Sequence, residues 1–421
     1  MTAEIYSFFR SRSVTESVSV SGFNFDKDHR KGIIMMKRSV RPLFSVVFVF
    51  AAAAATLCFR IIVSGGAGDP FVASDVGEIQ KLPPVFNATL LTFAAVDLAQ
   101  DSLRRDVEQL VDGNFRNARN NRQRSFLSAG RYRLDIGARS ARGGPLDLRS
   151  PEFYRLWLES RRYLQDWWRH RRFESDVMSN MVNVTSKMAG VLGSGRKYRT
   201  CAVVGNSGIL LKGNLGKAID SHEFVIRLNN ARIGGFEQFV GSKTSLSFMN
   251  SNILHLCARR GGCFCHPYGE NVPIMMYMSQ AVHFLDFAVC NTSHKAPLMI
   301  TDPRLDVLTA QIVKYYSVKR FLKETGKPLE AWASLHGGAE FHYSSGMQAI
   351  MVALGVCQKV GIFGFGKSDS AKHHYHTNQK TELSLHDYLA EYDLYQDLVE
   401  TPEAIPFVSD KFKFPTVIMH R

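Results

Sequence analysis

From Tyr198 onward the chain alternates short apolar runs with helical stretches, and this rhythm restricts its fold more than any other feature. TCAVVG, HEFVIRLN, TSLSFMN, VPIMMYM, APLMIT and KVGIFGFG read as strands, several of them apolar at nearly every position and so buried on both faces. Between them Asp302–Glu324 and Ser344–Cys357 read as helices, the second with Met347, Ile350, Met351 and Leu354 on one face. Buried strands separated by helices predict an α/β domain with a largely parallel sheet. Ligands of such sheets bind outside the carboxyl ends of the strands. No internal repeat is visible.

The stretch before this domain, SPEFYRLWLESRRYLQDWWRHRRFESDVMSNMV, reads as helical and as packing against it, and the catalytic domain is therefore expected over 151–421. Residues 64–150 are weakly patterned and rich in Arg and Asn, and read as a stem. Their basic run (Arg116, Arg119, Arg122, Arg124, Arg131, Arg133) could grip an acidic polysaccharide, or be a solvated linker. Upstream, Pro42 to Phe59 gives 18 consecutive uncharged residues, extended by Ile61 to Val63. That length suits a membrane-spanning helix over 42–63. Lys37, Arg38 and Arg41 before it keep residues 1–41 in the cytosol and send the rest to the lumen, as a type II signal-anchor. A cleaved secretory signal is the competing reading, although the run exceeds the usual ~7–15 apolar residues of such signals. Residues 1–35 have no apolar periodicity, and Met36 looks like a natural start.

A luminal location gives the cysteines and sequons meaning. Asn87, Asn183 and Asn291 each open an N-x-S/T glycosylation sequon. Outside the membrane run there are six cysteines, Cys201, Cys257, Cys263, Cys265, Cys290 and Cys357, an even number for an oxidising compartment. Cys257, Cys263 and Cys265 with His266 also admit a zinc reading, but the spacing lacks paired C-x2-4-C knuckles and favours disulfides. The net charge of +14 points to anionic partners. In the lumen these are acidic glycans, nucleotides and membrane surface, not nucleic acid.

The first strand ends in Gly205-Asn206-Ser207-Gly208, a turn that lets backbone approach a phosphate closely. It is not G-x-G-x-x-G, which tells against a nicotinamide-dependent oxidoreductase. In its wider setting, CAVVGNSGILLKGNLGKAIDSHEFVIRLNNARIGGFEQFVGSKTS resembles the large sialylmotif of the eukaryotic sialyltransferases, and HYSSGMQAIMVALGVCQKVGIFGFG resembles their small sialylmotif. His374-Tyr375-His376 looks like the third motif, and His386 with Glu391 matches the H-x4-E of the very small motif. All four stand in the family's order between Cys201 and Glu391. The wording is closest to the plant and algal sialyltransferase-like group.

This resemblance implies a modified GT-A-like, Rossmann-type α/β fold in a Golgi membrane enzyme. It implies inverting transfer from a CMP-activated donor, sialic acid or a relative such as Kdo, to a glycan hydroxyl, with no cofactor and no metal. It implies that Asn206 and Asn229 hold the phosphate and ribose region, that Ser344, Ser345 and Gly346 contact the cytidine or the donor carboxylate, and that Cys201 pairs with Cys357. His374 would stabilise the departing phosphate and His386 would be the general base. Tyr375 and Glu391 would support them, Glu391 as an orienting partner.

The chemistry asks for such residues independently. A helix start offers N–H groups to an anion, and imidazole suits proton removal near neutrality. The one D-x-D, Asp26-Lys27-Asp28, precedes the membrane run. His373, His374 and His376 as metal ligands is a weaker reading, with no carboxylate in register. Tyr343, His342 and Thr377 depart from the family's pattern around the donor, so a catalytically silent, glycan- or nucleotide-binding Golgi relative is the alternative.

Overall fold

The computed structural model describes residues 86–113, 151–184, 196–253, 266–291, 295–336, 338, 341–379 and 386–420. The tail, the apolar run 42–63, most of the stem and Cys257, Cys263 and Cys265 lie outside the described residues. Among the described residues no helix is long and apolar enough to cross a membrane.

Seven strands form one parallel sheet in the order β5-β4-β3-β2-β1-β6-β7. They are β1 (Cys201–Val204), β2 (Phe224–Leu228), β3 (Leu246–Asn250), β4 (Ile274–Tyr277), β5 (Leu298–Ile300), β6 (Lys359–Phe363) and β7 (Thr416–His420). The first six are the apolar runs of the sequence. Edge strand β7 has mostly half-buried residues, and its apolar run Val417-Ile418-Met419 is not among those read as strands in the sequence. The fold is α/β.

Among the described residues the helices of eight residues or more are α1 (Ala88–Ala95), α2 (Gln100–Asp112), α3 (Pro151–His170), α4 (Phe284–Asn291), α5 (Pro303–Thr325), α6 (Ser345–Val356) and α7 (Tyr388–Glu400). Strand alternation assigns each residue to a layer. Cys201, Val203, Ile226 and Phe248 face one core with Leu308 and Ile312 of α5, Met347 and Ile350 of α6 and Leu394 of α7. Ala202, Val204 and Val225 face the other side, against Leu210, Ile219 and Val240. Farther along that side, Ile274 and Met276 meet Leu164 and Trp167 of α3 and Phe284 of α4. Helix α5 starts on Asp302, whose carboxylate accepts the Arg304 N–H at 2.9 Å, with Pro303 at its first position, and stops at left-handed Gly326.

Two differences from the sequence reading stand out. Residues 86–113, read as stem, are two helices packed on the core: Lys314 Nζ donates to Val96 O at 2.8 Å, and Trp157 Nε1 to Leu110 O at 2.9 Å. The helix read through Val182 ends at His170, where the apolar spacing lapses into Arg169 to Arg172 and Arg171 turns to pair with Asp97 at 2.8 Å. Cys201 and Cys357 are disulfide-bonded, joining the start of β1 to the end of α6. Cys290 is disulfide-bonded as well.

Candidate active site

Strand order reverses between β1 and β6, so the crevice for a ligand opens at their carboxyl ends. Backbone fills this point: the Gly205 N–H donates to Phe363 O at 2.7 Å, and a Cβ on Gly205 would lie 2.6 Å from Gly364 O. Asn206 follows. Its carbonyl accepts the Tyr375 N–H at 2.8 Å, while its side-chain Oδ1 is buried without a hydrogen-bond partner. An orphaned buried acceptor at the mouth of a crevice fits a ligand hydroxyl or amine.

Asn229 follows β2 in the left-handed region at φ 52, which Asn tolerates better than most residues. Its Oδ1 accepts the Asn250 N–H at 2.9 Å, and its Nδ2 reaches Ser345 Oγ at 3.5 Å. It thereby ties the ends of β2 and β3 to the first turn of α6. Tyr277, at the end of β4, lies against the same turn and receives a 2.5 Å hydrogen bond from Asn250 Nδ2.

The start of α6 shows a division of labour that the sequence did not. Ser344 Oγ caps the helix by accepting the Met347 N–H at 3.1 Å. Its own N–H and O–H both go to Glu391, at 2.6 and 2.5 Å. Ser344 is thereby committed to the fold, and the N–H groups of Ser345 and Gly346, which have no intrahelical acceptor, are those a helix start can offer an anion. Gly346 is needed for space, since a Cβ there would sit 2.6 Å from Phe365 Cε1. Glu391 is fully buried, which raises its carboxyl to about 7 against the opposing hydrogen bonds from Ser344 and Tyr395.

His386 precedes the Asp387 cap of α7. Its Nδ1 lies 2.8 Å from the His342 carbonyl. A carbonyl cannot donate, so Nδ1 carries the proton and Nε2 is the basic nitrogen. Burial first, and then the neighbouring His342 and His373, hold this imidazole down at about 4, with the His342 carbonyl pulling the other way. Contacts link it to the third motif: the His386 and Tyr388 rings are 5.4 Å apart, Tyr388 and His373 5.1 Å, and His373 and His374 4.5 Å. His374 is also held at about 4, by burial and by His373 and His376. Tyr375, buried between them in sequence, donates its O–H to Arg232 O at 2.6 Å.

His374, His386, Asn206, Asn229 and the first turn of α6 thus gather at one end of the sheet. Among the described residues no three His, Cys, Asp or Glu side chains are grouped to hold a metal ion, and His373, His374 and His376 are a ring stack. Asn87 and Asn183 are exposed; Asn87 also caps α1. Asn291 closes α4. The sequence reading missed Asn250, Tyr277, Phe365 and Tyr388. Position at a strand's carboxyl end was the available signal for the first three.

A model of glycosyltransferase family 29 (sialyltransferase) matches residues 155–402. A beta-1,6-galactosyltransferase of Arabidopsis thaliana is 49% identical over 399 residues, covering 91% of this chain and 99% of that protein. Sialyltransferase-like protein 1 of Oryza sativa subsp. indica is 49% identical over 394 residues, covering 89% and 97%. A mammalian sialyltransferase crystallised with Gal-beta-1-3GalNAc-ortho-nitrophenol aligns over 70% of this chain and 93% of its own, at 20% identity and a TM-score of 0.35.

Proposed function

The chain belongs to glycosyltransferase family 29, the sialyltransferase family, and from that premise we propose that it transfers a sugar with inversion from a nucleotide donor to a glycan hydroxyl, using His386 as general base. The observation that carries this is the His342 carbonyl on His386 Nδ1, which leaves Nε2 as the proton acceptor. As the acceptor oxygen attacks the anomeric carbon, its proton passes to Nε2 and the bond to the leaving phosphate breaks. A base held near 4 is unprotonated at neutral pH, at the expense of some basicity. His374, neutral for the same reason, serves the leaving phosphate as an N–H donor. Asn206 and the N–H groups of Ser345 and Gly346 cradle the donor; no metal is needed to assemble these contacts.

Two donor readings each have support. The similarity to a beta-1,6-galactosyltransferase over nearly the whole chain favours galactose, carried by a nucleoside diphosphate. The sialylmotif residues favour a CMP-linked acidic sugar, sialic acid or Kdo. A screen of the purified luminal domain with UDP-galactose, CMP-sialic acid and CMP-Kdo, with and without EDTA, decides between them. His386→Ala should lower kcat by ~10²–10⁴-fold on whichever donor works. Full activity in that variant would remove the base assignment, loss of activity with EDTA would remove metal independence, and nucleotide binding without turnover would favour the silent reading. The same proposal puts residues 42–63 across the Golgi membrane with the catalytic unit in the lumen. Protease added to sealed microsomes should spare that unit, and its digestion would reverse the topology.

A further inference from the structure

The loop that follows Asn229 forms one wall of a cavity of about 570 Å³, open to solvent beside the proposed donor cradle. Asn230, Arg232, Ser242, Thr244 and Tyr268 are among its lining residues, and Arg232 is the one charged side chain among the described residues that line it. Two contacts bind this cavity to the candidate active site. Asn230 directly follows Asn229, which reaches Ser345, and the Arg232 carbonyl accepts the O–H of Tyr375, the residue between His374 and His376. The wall is therefore held in register with the histidines.

Arg232 is exposed and already oriented. Its Nε donates to Gly234 O at 2.9 Å, and its guanidinium lies 6.0 Å from the Phe236 ring centroid. Glu237, which feels the Arg232 charge, is engaged by the Gly235 N–H at 3.0 Å. The two terminal nitrogens form a fork suited to a carboxylate. The volume falls within the roughly 300–1,000 Å³ of small-ligand sites, far beyond what a phosphate fills. A cavity with amide and hydroxyl groups at its edge and one guanidinium suits a sugar ring that carries an acidic group.

We infer that this cavity is an acceptor subsite for an acidic sugar unit of the glycan, with Arg232 selecting its carboxylate. The inference rests on the glycosyltransferase reading. It extends that reading by naming an acceptor feature and the residue that reads it.

The test pairs one acceptor oligosaccharide containing a uronic acid with its carboxyl-reduced, neutral form. Arg232→Gln should raise KM for the acidic form about tenfold, the scale of one charge-assisted hydrogen bond pair, and narrow the ratio between the two forms towards one. Arg232→Lys should restore part of that ratio, and unchanged thermal melting of both variants would show that the fold is kept. An unchanged ratio would overturn the inference. So would a rise in donor KM with both acceptors, which would assign Arg232 to the donor. Calorimetric titration of the two oligosaccharides without donor separates the proposals. Selective binding of the acidic form, lost in Arg232→Gln, would stand even if no donor turned over.

Discussion

Two imidazoles, His374 and His386, are held at about 4, below an ordinary histidine near 6.5, and both shifts come first from burial. Above pH 6.5 they are neutral in folded and unfolded chains alike, so the stability they contribute is fully present. As pH falls from 6.5 towards 4, the unfolded chain takes up protons that the folded one refuses. Stability then declines by up to about 1.4 kcal/mol per pH unit for each histidine. Glu391 acts in the opposite direction: raised from 4.5 to about 7, its contribution is present at low pH and lost as pH rises through 7. The histidine effect is therefore read as a difference. Urea unfolding of His374→Gln/His386→Gln at pH 4.5, 5.5 and 6.5 should give a shallower slope than the parent chain, and an equal slope would refute burial of the neutral rings. The acid limb of kcat/KM in the parent enzyme should fall near 4 instead of 6.5.

At the scale of elements, the very small motif makes sense through where α7 begins. Asp387 caps this helix, so His386 stays outside it, facing the His342 carbonyl, while Glu391 in the first turn points into the core. Four residues separate the imidazole proposed as the base from the carboxylate that fixes the neighbouring helix. Glu391→Gln tests this, because an amide must turn its NH2 towards one of the two Ser344 donors. The expected loss is about 1–3 kcal/mol of stability, together with weaker donor binding as the first turn of α6 loosens. Denaturation with calorimetric donor titration would check it, and an unaltered stability would show that the Glu391 contacts are dispensable.

Much of this architecture was legible because each of β1 to β6 is a short apolar run bounded by polar or turn-forming residues, and because Pro303 and Ser344 mark helix starts. What stayed hidden depends on distance along the chain. Glu391 takes both donors of Ser344 from 47 residues away, and Arg232 gains its setting through Tyr375, 143 residues away. No local pattern records either pairing. Strand β7 was missed although Val417-Ile418-Met419 is an apolar run as long as that of β5, because a run of three is too short to separate strand from loop by pattern alone.

At the scale of the whole molecule, one covalent bond joins two elements that carry the site. Cys201 and Cys357 are 156 residues apart, and their disulfide fastens the entry of β1 to the exit of α6, so the glycine turn and the first turn of α6 belong to two elements clamped at their far ends. Closing so long a loop removes conformational freedom from the unfolded chain, and losing such a bond typically destabilises by about 2–5 kcal/mol. Both cysteines are buried, and a bond of this kind forms and persists in an oxidising compartment. The catalytic domain made under oxidising conditions should therefore be more stable by that amount than Cys201→Ala/Cys357→Ala. Making both forms in a reducing cytosol should erase most of the difference between them. Equal denaturation midpoints under oxidising conditions would mean that the parallel sheet alone holds the crevice, and would remove the bond as an argument for a luminal location.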